Sequence, residues 1–112
     1  MSNKKLVSIE DFNEIKDKDV FFIFKHSTTC PISGSAFEEW NNFNDDFPHA
    51  KYYSLFVQEA RELSNYIAES YNVKHESPQV LLVKNGEVVW HTSHWKITYS
   101  NLQDIWNQHF TN

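Results

Sequence analysis

Cys30 is the residue of this chain whose type and position point most directly to covalent chemistry, and it is the only cysteine. It stands in "HSTTCPISGS", residues 26 to 35, between the apolar run "VFFIFK" and a segment with helical periodicity. Pro31 follows it and suits the first position of a helix, so Cys30 is expected at or beside the helix N-cap. Unpaired backbone N–H groups and the positive end of the helix dipole stabilise an anion there. A thiol so placed ionises below its free value of about 8.5, and the thiolate is the reactive species. A lone cysteine in other settings is usually an inert core residue. Here the neighbours Ser27, Thr28 and Thr29 are small and polar, which suits a partly exposed site.

Ser33 lies three residues beyond Cys30, on the same side of the first helical turn. A second cysteine at that position would resolve a mixed disulfide internally, and serine cannot. Its hydroxyl can donate a hydrogen bond to the thiolate, or it can simply cap the helix. His26 could act as a base or electrostatic partner of Cys30, although a solvated loop histidine is the expected role. Lys25 could support the thiolate too, against the plainer reading of a strand-end lysine snorkelling to water. Gly34, costly in a helix, hints at close approach by a ligand or another backbone, or else relieves packing.

His91 and His94, flanked by Trp90 and Trp95, are weighed as metal ligands and declined. On a strand a spacing of three turns the two rings to opposite faces, and no cysteine pair or carboxylate cluster completes a site. The four tryptophans fall within apolar patterns and are assigned to the core or its margins.

The elements that must position Cys30 are legible from periodicity. "SIEDFNEIKD" reads as a short amphipathic helix with Ile9, Phe12 and Ile15 inward, and Ser8 and Asp11 have capping-box spacing. "VFFIFK", 20 to 25, is a strand apolar on both faces and hence central. Phe37, Trp40, Phe43 and Phe47 recur at helical spacing as far as Pro48, which predicts a helix over about 31 to 46. "KYYSLFV", 51 to 57, is a second strand and "QEARELSNYIAESYNV" a second long helix, so these two strands are parallel. "QVLLVKNGEVVWHTS" is an antiparallel hairpin turned at Asn85-Gly86, and "SNLQDIWNQHF" closes as a helix. The order is α, β, α, β, α, β, β, α, an α/β fold with a central mixed sheet of about four strands flanked by helices.

With 112 residues and no linker or repeat, residues 1–112 are expected to form a single domain. Hydrophobic residues at 40% and aromatics at 16% supply a core. A formal charge of -5 with scattered cations argues against nucleic acid or an anionic membrane as partner. No bilayer-spanning run and no signal-peptide hydrophobic stretch is present, and a single cysteine fits a reducing compartment, so a cytoplasmic protein is expected.

The element order, the helix-opening cysteine with its proline, and "SPQVLLVKNGEVV" resemble the thioredoxin fold. "TCPIS", residues 29 to 33, in a chain of this length further resembles the monothiol bacilliredoxins of the YtxJ (BrxC) family. This resemblance implies removal of bacillithiol, a low-molecular-weight thiol, from mixed disulfides on client proteins. Cys30 would be the nucleophile, with Thr29, Pro31 and Ser33 supporting its thiolate. No tightly bound cofactor or metal is implied; bacillithiol is a co-substrate, and either a second bacillithiol or a reductase regenerates Cys30. Pro78 would be the cis-proline facing the cysteine, and the backbone of Ser77 would pair with an extended client segment.

The chain departs from dithiol thioredoxins in having Thr29 before the cysteine, Ser33 after it, and Phe24 where they bury an aspartate. General dithiol reductase activity is therefore not expected. Monothiol glutaredoxins, which carry iron–sulfur clusters, also have serine after one cysteine, but glycine where this chain has Pro31. Peroxiredoxins place proline seven positions before the cysteine, where Ile23 stands. A silent thioredoxin-like binding module is the remaining alternative, with an ordinary Cys30 pKa of about 8.5.

Overall fold

The computed structural model describes residues 3–27 and 31–110. Its sheet is built around β2, Val20–His26, whose run of aromatic and branched residues is buried on both faces. Phe21 and Ile23 enter one core and Phe22 and Phe24 the other. Such two-sided burial is what a continuous apolar strand requires, since alternation would leave one face to water.

On one side β2 pairs in parallel with β3, Tyr52–Phe56, and on the other it pairs antiparallel with β4, Gln79–Lys84. β5, Glu87–Ser93, completes an antiparallel hairpin with β4. Asn85 and Gly86 turn it with φ of 54° and 83°, the two positive values that a type I′ turn demands. A register shift between Leu82 and Val83 leaves Val89 as the extra residue of β5, and it is exposed. β1, Asn3–Lys5, pairs in parallel with the outer edge of β3, giving the order β1-β3-β2-β4-β5.

The sheet thus has five strands rather than about four. "NKK" carries no hydrophobic signal because it is a short edge strand, and lysine is a common protection for such edges. Lys5 reaches Glu59 at 2.7 Å and lies over the Phe56 ring.

Helices cover both faces. α1, Ile9–Ile15, and α3, Arg61–Tyr71, close the core that holds Phe12, Leu63 and Ile67. Ser8 and Asp11 form a full capping box at the start of α1. α3 begins later than periodicity suggests, because Glu59 and Ala60 donate their N–H groups to Phe56 and make a turn instead. α2, Pro31–Asp46, and α4, Tyr99–Phe110, cover the other face around Trp40, Phe43 and Leu102. A short 3-10 turn, His94–Lys96, joins β5 to α4. None of the described helices is long and apolar enough to cross a membrane.

Candidate active site at the carboxyl end of β2

Cys30, Thr29 and Thr28 lie outside the described residues, and so do the side chains of Pro31 and Ser33. The described residues on either side of them form the frame of the site. β2 ends at His26 and α2 begins at Pro31, the residue bonded to Cys30, so the chain reaches the amino end of a 16-residue helix directly after the cysteine. This is the strand-to-helix switch at which open α/β sheets form their ligand crevice. Gly34 sits in the first turn of α2 with open space around it. An added Cβ there would meet nothing within 4 Å among the described residues, so none of their backbone approaches the glycine closely.

The second wall is the segment before β4. The Ser77–Pro78 peptide bond is cis, Pro78 is buried and Ser77 half-buried. In the antiparallel register Lys25 faces Gln79, which places His26 and Pro78 as the next residues along each strand. Proline has no N–H to continue the ladder, so β4 pairing stops here. The Pro78 carbonyl instead accepts from His94 N–H at 3.0 Å and ties the 3-10 turn to the same wall. Ser93 Oγ donates to Glu76, which draws β5 onto the segment as well. Hydrogen bonding to Ser93 lowers the Glu76 pKa.

His26 is not a solvated loop residue. It is the buried last residue of β2, stacked on Phe37 of α2 at 4.5 Å and on Phe24 at 5.5 Å, with Phe56 edge-on. Burial lowers its pKa, so the ring is held neutral. Its role is to seat the second turn of α2 on the end of β2. Ser27 is likewise buried and accepts a hydrogen bond from Gln58 Nε2 at 2.9 Å.

Lys25 does not snorkel. Its side chain is 0% exposed, on the α1/α3 side of the sheet. Nζ donates to the Ser64 carbonyl at 3.0 Å and meets His75 Nδ1 at 3.2 Å, and Ser64 Oγ lies 3.1 Å from the same nitrogen. His75 Nδ1 therefore acts as an acceptor, with its proton on Nε2. Beside it, Gln79 Nε2 donates to the Lys74 carbonyl at 3.0 Å, while its buried Oε1 has no partner among the described residues. Lys25 and Gln79 together pin residues 74 and 75, and so fix the approach to Ser77–Pro78. Burial lowers the His75 pKa first, with the Lys25 and Arg61 charges adding to it.

Desolvation lowers the Lys25 pKa from 10.5 to about 8, and no carboxylate among the described residues offsets that cost. The unfolded chain keeps this proton to higher pH than the folded one, so stability rises with pH through the interval between the two values. Above 10.0 the trend reverses, because burial raises the hydroxyl pKa of Tyr52, Tyr53 and Tyr71 and the unfolded state then ionises first. Urea midpoints measured from neutral pH to about pH 9, before the tyrosines ionise, are expected to rise for the native chain and to stay level for Lys25→Met. A rise that persists in the variant would mean that Lys25 is not its source.

Trp95, assigned with the other tryptophans to the core or its margins, is instead 70% exposed. Trp40 is buried, and Trp90 and Trp106 pack against the core as expected. His94 is not on a strand but in the 3-10 turn with φ 55°, while His91 is on β5. Among the described residues no group of three or more His, Cys, Asp or Glu is placed to hold a metal ion.

The sequence model of a family described as monothiol bacilliredoxin BrxC matches residues 4–102. A solved structure described as having a thioredoxin fold is 42% identical, covers 92% of this chain and 92% of its own, and superposes with a TM-score of 0.85. Thioredoxin from Malassezia sympodialis (Mala s 13) is 19% identical over 96% of this chain and 90% of its own, with a TM-score of 0.78. Thioredoxin from Fasciola hepatica is 15% identical over 95% and 98%, with a TM-score of 0.74. At these identities the two thioredoxins share the fold alone. The five-stranded sheet with its flanking helices is thus a thioredoxin fold.

Proposed function

The chain belongs to the monothiol bacilliredoxin BrxC family, and on that basis we propose that it removes bacillithiol from client proteins, with Cys30 as nucleophile. It is a thiol oxidoreductase in the broader sense. The observation that carries the finer reading is the family match, joined to a sole cysteine bonded to the first residue of α2.

The Cys30 thiolate attacks the bacillithiol sulfur of the mixed disulfide in line. A new S–S bond forms between Cys30 and bacillithiol as the old one breaks, and the client sulfur leaves as a thiolate that takes a proton from water. No net oxidation occurs in this step. A second bacillithiol thiolate then attacks the bacillithiol sulfur of the adduct, releasing bacillithiol disulfide and Cys30. A reductase supplying two electrons can do the same. Ser33 brings no thiol, so the second sulfur must come from outside.

The α2 amino end supplies the N–H groups and dipole that favour the Cys30 thiolate, with Thr29 and Pro31 on either side of it in sequence and Ser33 three residues on. Ser77 and Pro78 form the opposite wall, where the Ser77 backbone receives an extended client segment. The setting proposed is the cytoplasm, where bacillithiol keeps the pool reduced.

The test is to load one client cysteine with bacillithiol in one sample and glutathione in the other, then follow release of the client thiol. Faster release from the bacillithiol form is expected. Equal rates, or faster release of glutathione, would overturn the bacillithiol assignment and leave only a general thiol oxidoreductase.

A further inference from the structure

Trp95 is the largest exposed apolar side chain among the described residues, and its surroundings are ordered by specific bonds. His94 holds a left-handed φ of 55° and donates its N–H to Pro78, while the Ile97 N–H returns to the His94 carbonyl at 3.2 Å. Asn101 Nδ2 donates to the Lys96 carbonyl at 2.7 Å. Glu39 of α2 accepts from the Tyr99 N–H at 2.8 Å and fastens the end of the turn to the helix. A tryptophan presented to water on a turn so fixed is preorganised for contact with something that the described residues do not supply.

Between this turn and α2 lies a cavity of about 180 Å³, lined by Trp95 together with Ser35, Glu38, Glu39, His94 and Thr98. Ala36 and Ile97 complete its apolar lining beside the indole, and the hydroxyl and carboxylate groups converge on it, so that it offers both a ring face and hydrogen-bonding partners. The cavity also lies close to the start of α2. Ser35 is four residues beyond Pro31, which at helical rise is about 6 Å from the start of α2. The other end is bonded to Pro78 through His94.

Building on the bacillithiol reading above, we propose that this cavity is the subsite for the glycosyl part of bacillithiol, with the Trp95 indole as its stacking platform. In bacillithiol only a cysteinyl amide separates the sulfur from an amino sugar, and the sugar carries a malate. A sugar ring offers a C–H face to an indole and hydroxyls to carboxylate, serine and threonine groups. The free amine of the cysteinyl unit complements Glu38 and Glu39 in the lining, and the malate carboxylates, held outside it, have the exposed Lys96 next to Trp95 as their cation. Glutathione is a peptide without a ring and has no face to lay on Trp95. The subsite thus selects between thiols, whereas Cys30 performs the exchange.

The experiment compares one client carrying bacillithiol with the same client carrying cysteine, which shares the sulfur environment but lacks sugar and malate. In Trp95→Ala, kcat/KM for the bacillithiol form is expected to fall about tenfold, through KM, with the cysteine form changed by less than about twofold. Trp95→Phe is expected to recover most of the loss, because it keeps an aromatic face. Equal loss on both clients, or no loss on either, would overturn the subsite while leaving the functional reading intact. A native protein that moves bacillithiol from no client would overturn the functional reading itself, and the subsite with it.

Discussion

Replacing Cys30 by serine is expected to abolish release of bacillithiol from clients, with a fall of about a thousandfold or more to the uncatalysed rate. The hydroxyl of serine stays protonated where a thiol at a helix amino end ionises, and an alkoxide does not enter disulfide exchange. The chain has no other cysteine to take over, so no slow secondary route should persist. The substitution is nearly isosteric, and it leaves unchanged the described core residues that hold β2 and α2. Circular dichroism and the urea midpoint should therefore match the native protein within error. Residual activity above background in Cys30→Ser would assign the chemistry elsewhere in the chain.

The second large effect is on stability. Trp40→Ala is expected to lower the unfolding free energy by about 3–5 kcal/mol, out of a total of about 5–15 kcal/mol for a domain of this size. Trp40 is 0% exposed and meets Phe24 at 5.2 Å, Tyr52 at 5.4 Å and Phe22 at 6.1 Å, so its removal opens a cavity bounded by rings that cannot collapse inward. Because Phe24 stacks in turn on Phe37 and His26, the loss also loosens α2 where it meets the end of β2. Trp95→Ala, by contrast, should move stability by less than about 0.5 kcal/mol, since it truncates a side chain that water already surrounds. Urea denaturation of the two variants side by side separates them, and a loss below about 1 kcal/mol in Trp40→Ala would contradict its place at the centre of that core.

The fold was legible where pattern alone determines structure. "VFFIFK" could only be a strand covered on both faces, Asn85-Gly86 could hardly be anything but a hairpin turn, and the spacing from Phe37 to Phe47 marked α2 at its correct bounds. The edge strand β1 escaped because its pairing with β3 lies in backbone hydrogen bonds, which leave no mark on side-chain type. The frame of the site was less readable. Lys25 looks like a lysine at a strand end, and its burial depends on Ser64 and His75, 39 and 50 residues further along the chain. His26 and Ser27 look like loop residues for the same reason, since their partners Phe37, Phe56 and Gln58 are brought to them by the fold. Trp95 is misplaced by reading all four tryptophans as parts of apolar patterns. A tryptophan between His94 and Lys96, just past a strand and with no apolar residue three or four positions before it, was the available sign that it does not face the core.

The most direct measurement is the mass of the Cys30 peptide after the reduced protein meets a bacillithiolated client with no free thiol added. The expected result is one bacillithiol on Cys30 for each client thiol released, because a site with a single sulfur must retain the group it removes. Client thiol released while Cys30 stays unmodified, or no release at all, would contradict Cys30 as the acceptor of bacillithiol.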